Sequence, residues 1–277
     1  MTASRVPLAG VIGSPVGHSL SPRLHGHWLR RYGLRGHYVP MDIAEDRLAE
    51  LLAILPQLGF VGVNVTIPYK ERVMEIADLV SDRATLIGAA NTLIFRRDGK
   101  VHADNTDGVG FLENLRQGAP GWDPASGPAT VFGAGGAARA VLSALLDAGV
   151  PEIRLTNRTR PRADQLRQDF GGRVSVVDWV QAGTVLDDSA LLVNTTSLGM
   201  DGKPELRVPL DGLRAGTVVT DIVYVPLETR LLRITQQRGC VTFDGLGMLL
   251  HQAVPGFERW FGLRPEVDDA LRVAVLG

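Results

Sequence analysis

Lys70 is one of three lysines in a 277-residue chain that carries twenty-six arginines. It closes the segment Asn64-Val65-Thr66-Ile67-Pro68-Tyr69-Lys70, which begins inside an apolar run. Arginine keeps its proton in a protein, whereas lysine releases one when its surroundings shift its pKa. Lys70 is therefore a candidate acid or base; the plain alternative is a solvated cation at a helix start. Small polar residues gather at comparable places. Ser19 and Ser21 follow the first apolar run in His18-Ser19-Leu20-Ser21-Pro22. Thr66 precedes Lys70, Asn91 opens a hairpin, and Asp107 lies in Asp104-Asn105-Thr106-Asp107-Gly108. Each also has a structural reading. A serine ahead of Pro22 suits a helix N-cap, and Asp107 suits a first helical turn. Taken together, neutral donors and acceptors beside a lysine and a carboxylate fit a small hydroxylated acid better than an apolar ligand.

A second constellation binds an anion. Gly133-Ala134-Gly135-Gly136-Ala137-Ala138 follows a strand-like run and opens a helical one. It fits G-x-G-x-x-G/A with Ala138 in the third place: a tight turn, a close backbone approach to a diphosphate, and close helix–strand packing. The free N–H groups of the helix start then face the phosphates. A glycine triplet alone is a weak signal, and the strand–turn–helix setting is what raises it above a structural turn. The next strand ends at Asn157-Arg158-Thr159, where an NAD-binding fold places an acid on the ribose 2′-OH. Arg158 stands there instead, with Arg160 and Arg162 behind it. A guanidinium holds a 2′-phosphate with paired hydrogen bonds, whereas an acid repels it. NADP is expected rather than NAD; the alternative is an arginine-rich surface turn.

The elements that must position these residues alternate. Residues 6–13, 37–43 and 60–67 read as strands, with helices at 22–32 and 45–58 between them. Residues 92–96 and 101–103 read as a hairpin around Asp98-Gly99, followed by a helix over 106–117. Residues 118–128 hold a cluster of glycines and prolines without apolar periodicity and mark a boundary. A second series follows, with strands at 129–133, 153–157, 174–177, 191–195 and 218–223 and helices at 137–148, 162–170 and 227–238. Strands alternating with helices imply parallel sheets with right-handed crossovers. The closing helical stretches, 248–261 and 266–275, have no strand after them and are expected to return to the first domain. The predicted fold is α/β with two domains. Residues 1–107 plus 246–277 form a mostly parallel substrate-binding and catalytic domain, and 108–245 a Rossmann dinucleotide-binding domain.

Composition narrows the function classes. Net charge is −1 without like-charge blocks, which gives no footprint for nucleic acid or an acidic membrane. The single cysteine, Cys240, cannot form an internal disulfide. Residues 1–10 lack the basic start and apolar core of a signal peptide. No apolar run approaches the roughly 20 residues that span a bilayer. A cytoplasmic protein is expected. His25 and His27 are two residues apart and do not share a helix face, so they read as structural or solvated and no metal is expected.

The motifs together resemble the shikimate dehydrogenase family across nearly the whole chain. The resemblance rests on Gly17-His18-Ser19-Leu20-Ser21-Pro22, Asn64 through Lys70, Gly88-Ala89-Ala90-Asn91-Thr92, Asn105-Thr106-Asp107-Gly108, Gly133 through Ala138, Asn157-Arg158-Thr159, Asn194 through Ser197, and Asp244-Gly245 with Gln252. It implies reversible reduction of 3-dehydroshikimate to shikimate by NADPH, a step toward chorismate and the aromatic amino acids. It further implies that Lys70 and Asp107 form the catalytic pair and that Ser19 and Ser21 hold the substrate carboxylate. Thr66, Asn91, Tyr224 and Gln252 match other residues facing the substrate. Gly133, Ala134, Gly135, Gly136, Ala137, Asn157, Arg158, Thr159, Arg162, Ile222 and Gly245 match cofactor contacts, and Asp82 is a weaker match. Members are often homodimers, although nothing in the sequence marks an interface. Two other readings stand beside this one. One is a quinate or broad-specificity quinate/shikimate dehydrogenase, whose substrate differs by one hydroxyl. The other is a catalytically silent NADP-binding regulatory module, which predicts a broken pair where Lys70 and Asp107 are both present.

Overall fold

A computed structural model describes residues 6–277; the expectation for residues 1–10 therefore lies partly outside the described residues. The chain divides into two compact units, Met1–Thr106 with Leu250–Gly277, and Asp107–Leu249.

The first unit begins β1 (Leu8–Gly13), α1 (Ser21–Arg31), β2 (His37–Asp42), α2 (Leu48–Ile54), β3 (Phe60–Val65). It continues α3 (Arg72–Ile76), β4 (Leu79–Val80), α4 (Asp82–Ile87), β5 (Thr92–Phe95) and β6 (Val101–Asp104). Its sheet has the order β2-β1-β3-β5-β6-β4. The β1, β2 and β3 strands are parallel, and β5 runs antiparallel between β3 and β6. The two faces are covered separately, as alternation along a strand requires. Ile12, Val63, Val65 and Leu93 pack with Leu48, Leu52, Leu55 and Val73 on one side. Ala9, Val11 and Tyr38 meet Trp260 on the other.

The second unit starts with α5 (Asp107–Gly118) and β7 (Ala129–Phe132), then α6 (Gly136–Ala148), β8 (Ile153–Thr156), α7 (Arg160–Phe170) and β9 (Val174–Val177). It continues with β10 (Leu191–Asn194), β11 (Val218–Asp221), α8 (Arg230–Gln237) and β12 (Val241–Phe243). The chain closes with α9 (Leu246–Phe261), which carries the chain from the second unit back into the first, and α10 (Asp269–Leu276). The second sheet is wholly parallel in the order β12-β11-β10-β7-β8-β9. That is the doubly wound dinucleotide-binding order, with its switch point between β7 and β10. β7 and β10 are buried along their whole length, because helices cover both faces. Val131 and Val193 face Val141, Leu145 and Leu166, while Phe132 and Leu192 face Leu186, Leu231 and Leu232.

The C-terminal segment docks on α1. Trp28 donates its indole N–H to the Glu266 carbonyl at 2.9 Å, and Arg31 pairs with Asp268 at 2.6 Å. The helix read over 45–58 is broken into 3-10 turns around a seven-residue α-helix. Pro56 lies in the last 3-10 turn, and a proline lacks the N–H that a continuing helix would use.

Candidate active site

The antiparallel hairpin decides what meets what in the first unit. The ends of β1 and β3 lie side by side, with Ile12 opposite Val65. The start of β5 lies at that same edge, with Thr92 paired to Asn64 on one side and Asp104 on the other. The loops bearing Ser19 and Ser21, Thr66 and Lys70, Asn91, and Asn105–Thr106 therefore all leave one edge of the sheet. Ligands of open α/β sheets bind at such carboxyl ends.

Backbone bonds lock that edge. Thr66 N–H donates to the Ile12 carbonyl at 2.9 Å and Val65 N–H to the Asn91 carbonyl at 2.8 Å. Ala90 N–H donates to the Lys70 carbonyl at 2.8 Å, which fixes the backbone that carries the lysine. A Cβ on Gly13 would lie 2.4 Å from the Thr66 methyl, so only glycine lets β1 end this close to Thr66. The N-cap position of α1 is Leu20, and no side chain caps the helix. The serine cap considered from sequence is thus absent. Ser19 instead accepts the Ser21 backbone N–H at 3.3 Å, and Ser21 is buried.

Asn91 makes several of the bonds at this edge. Its Nδ2 donates to Gln252 Oε1 at 3.2 Å, so α9 reaches the same edge. Buried Asn64 ties the neighbouring strands: it accepts the Tyr38 hydroxyl at 2.7 Å and donates to the Asn91 carbonyl at 3.1 Å. Asp104 anchors the end of β6. It takes Ser81 Oγ at 2.7 Å, Asn105 N–H at 2.8 Å and both arms of the Arg83 guanidinium. Burial alone would raise its carboxyl pKa, yet Arg83 and Ser81 hold it below the ordinary value. Asp82, the weaker cofactor match, is the first residue of α4 in this unit, and Ser81 caps that helix.

In the second unit Asp107 is the first residue of α5. Gly133 has φ +108°, and a Cβ there would lie 2.6 Å from Thr195 Oγ1. Gly135 and Gly136 have nothing within 4 Å of where a Cβ would stand. The first glycine is thus demanded by the turn, while the next two leave open space at the start of the 13-residue α6. Room beside unpaired helix N–H groups fits a diphosphate. The turn after β8 is shaped by Asn157, whose Nδ2 donates to the Thr159 carbonyl at 2.8 Å. The structure separates the three arginines. Arg160 pairs with Asp178 and with Asp164, whereas exposed Arg158 and Arg162 have no ion pair among the described residues.

Ile222 and Gly245 approach each other closely: a Cβ on Gly245 would lie 2.2 Å from the Ile222 carbonyl oxygen. Tyr224 follows in the same loop, and burial raises the pKa of its phenol. Sequence reasoning missed Asn64, Arg83, Asp104 and Asp221 as organisers of these loops. Asn64, Asp104 and Asp221 share one signal, a polar or charged residue within or ending a strand, whereas Arg83 lies in α4 and carries no such mark.

Family models match three stretches of the chain. A shikimate dehydrogenase substrate binding domain matches residues 11–93, a shikimate / quinate 5-dehydrogenase domain 123–199, and a shikimate 5'-dehydrogenase C-terminal domain 245–274. A relative from Cereibacter sphaeroides (strain ATCC 17025 / ATH 2.4.3), named shikimate dehydrogenase (NADP(+)), is 68% identical over 98% of both chains. Among solved structures, shikimate 5-dehydrogenase from Thermus thermophilus in complex with NADP(H) and shikimate has a TM-score of 0.86. It is 38% identical and covers 98% of this chain and 99% of its own. Quinate dehydrogenase from Corynebacterium glutamicum in complex with NAD has a TM-score of 0.89 and 32% identity, covering 97% of this chain and 98% of its own. On the order of its second sheet, its glycine turn and these near-full-length likenesses, the chain belongs to the shikimate dehydrogenase family.

Proposed function

We propose that this protein catalyses the reversible NADPH-dependent reduction of 3-dehydroshikimate to shikimate, a cytoplasmic step toward chorismate and the aromatic amino acids. The observation that carries the reading is 68% identity over nearly the full length to relatives named NADP(+)-dependent shikimate dehydrogenases. In this reading residues 1–107 with 246–277 hold the substrate and residues 108–245 hold the cofactor. Ser19 and Ser21 bind the carboxylate; Thr66, Asn91, Tyr224 and Gln252 bind the remaining polar groups.

Bound NADPH supplies the hydride. As the ketone carbon is reduced, negative charge grows on its oxygen, and a positioned proton donor lowers that barrier by about 10²- to 10⁴-fold in rate. Lys70 fills that role, and Asp107 is the second member of the catalytic pair. Gly133 through Ala137 would cradle the diphosphate, and Asn157, Arg158, Thr159 and Arg162 would hold the 2′-phosphate end; Ile222 and Gly245 are further cofactor contacts, and Asp82 is a weaker one.

Quinate is the second reading, favoured by the likeness to the quinate dehydrogenase of Corynebacterium glutamicum. Arg158 at the ribose position weighs against that protein's cofactor, NAD. Steady-state oxidation of shikimate and quinate, each with NADP and NAD, tests both readings. The expected result is the highest kcat/KM with shikimate and NADP. A higher value with quinate supports the second reading, and turnover of neither acid overturns both.

A further inference from the structure

Asp221 is a fully buried carboxylate to which neither proposed binding set assigns a role. It ends β11, and no cation pairs with it among the described residues. Three neutral donors satisfy it instead. Its Oδ1 accepts Asn194 Nδ2 at 2.9 Å and the Val223 backbone N–H at 3.0 Å. Its Oδ2 accepts the Thr229 hydroxyl at 2.8 Å. These partners come from the end of β10, the loop after β11 and the N-cap of α8.

The bonds around it continue into the backbone that bears the proposed contacts. Ile222 N–H donates to the Asn194 carbonyl at 3.0 Å, and the Val223 carbonyl accepts Gly245 N–H at 3.3 Å. Asp201 N–H reaches the Val225 carbonyl at 3.0 Å. Ile222 is thus pinned on both sides, and Tyr224 follows the residue that Oδ1 holds. Asn194 is itself fixed, because its Oδ1 accepts the Thr196 N–H at 3.0 Å and the Thr196 hydroxyl at 2.8 Å.

We propose that Asp221 is a positioning residue whose Oδ1 sets the backbone of Ile222 through Tyr224 for cofactor and substrate, and that its negative charge is not needed for this. This rests on the reading of those residues given under Proposed function. The two oxygens differ in what they face. Oδ1 meets two N–H donors and must remain an acceptor. Oδ2 meets a hydroxyl, which both donates and accepts. An asparagine therefore fits with its oxygen at the Oδ1 position and its amide donating to Thr229 Oγ1. Burial pushes the Asp221 carboxyl up to about 6, against its hydrogen bonds, in keeping with a site that tolerates the neutral form.

The test compares Asp221→Ala and Asp221→Asn with wild type for thermal stability, NADPH binding by fluorescence, and kcat and KM for shikimate. Asp221→Ala removes Oδ1 and is expected to lower kcat/KM for shikimate tenfold or more. NADPH affinity should fall by a smaller factor than kcat/KM, because the contacts proposed for Gly133 and Arg158 sit on other loops. Asp221→Asn restores kcat/KM to within threefold of wild type. If the alanine protein does not fold, Asp221→Leu fills the same volume without an acceptor and takes its place. An alanine or leucine protein with altered melting temperature but wild-type kcat/KM overturns the inference. So does an asparagine protein as impaired as the alanine one, because the charge would then matter. A wild-type protein without NADP-dependent turnover of shikimate overturns the functional reading itself, and this inference with it.

Discussion

Asn91 Oδ1 accepts two hydrogen bonds from Thr106, one from its backbone N–H at 2.9 Å and one from its hydroxyl at 3.1 Å. The Thr92 hydroxyl supplies a third at 2.9 Å. Three donors converging on one atom require it to be the amide oxygen, so Nδ2 is forced toward Gln252. The side chain of Asn91 thus presents its amide N–H groups toward α9, in an orientation that Thr92 and Thr106 impose.

Replacing Asn91 with alanine leaves the Thr106 N–H and two threonine hydroxyls without this acceptor. Thr92 and Thr106 are fully buried, so the loss is not made good by solvent. The expected cost is about 1–3 kcal/mol of stability, the desolvation penalty of an orphaned buried donor. KM for shikimate should rise tenfold or more, because the proposed ligand donor is lost along with its supports. Urea denaturation and steady-state kinetics on the same preparation check both numbers. A stable variant with unchanged KM would remove Asn91 from the substrate site.

Lys70→Ala separates chemistry from binding. The loss of a positioned acid predicts a fall in kcat of about 10²-fold or more, with KM for shikimate of similar order. Asp107→Asn should lower kcat and raise KM, because the carboxylate is proposed to serve both the lysine and the substrate. Near-normal turnover in the Lys70 variant would return the lysine to the solvated helix-start role that its isolation alone suggests. An unchanged rate in the Asp107 variant would leave that residue as a first-turn acid of α5.

Arg158 and Arg160 make opposite predictions although they are two residues apart. Arg160 already pairs with Asp164 and Asp178, and Arg158 pairs with no carboxylate among the described residues. Arg158→Gln should raise KM for NADP about 10- to 100-fold, the range expected for losing a charge-assisted hydrogen bond, and leave KM for NAD nearly unchanged. Arg160→Gln should shift the NADP/NAD ratio by less than threefold. Equal shifts in both variants would mean that general positive charge, not a defined contact, selects the cofactor.

The order of strands and helices was legible because most elements are long enough to display a period. The short ones were not. β4 has two residues and β12 three, and neither length carries an alternation. α3 and α4 have five and six residues, less than two helical turns. Candidate site residues stood out in the sequence when their type was unusual for their place, as with Lys70, the glycines at 133 and 135, and Arg158. The organisers behind them were harder to find. Nothing in the spacing of Asp104 and Arg83, or of Asn194, Asp221 and Thr229, states that they touch. Those contacts arise only once strand order brings distant loops to one edge.

His25 gives a prediction about stability that its ligand-like chemistry would not suggest. It stacks on Tyr38 at 4.0 Å and meets Trp28 edge-on, and neither ring nitrogen has a hydrogen-bond partner among the described residues. Burial lowers its pKa from 6.5 to about 3, with the nearby Asn64 offsetting part of the effect. The unfolded chain therefore takes up a proton near pH 6.5 that the folded chain refuses until about pH 3. Its contribution to stability is complete above the upper value and is lost as pH falls through that window. Between pH 7 and pH 4.5 the loss should be about 2–3 kcal/mol. Asp221 acts with the opposite sign: its pKa is raised from 3.8 to about 6, so its cost appears as pH rises through that range. Wild type shows the difference of the two. His25→Phe keeps an aromatic ring against Tyr38 and removes the titration, so its stability should fall less than that of wild type over the same interval. Denaturant unfolding of both proteins at pH 7 and pH 4.5 measures this directly. Parallel losses would mean that His25 takes up its proton in the folded protein as readily as in the unfolded chain.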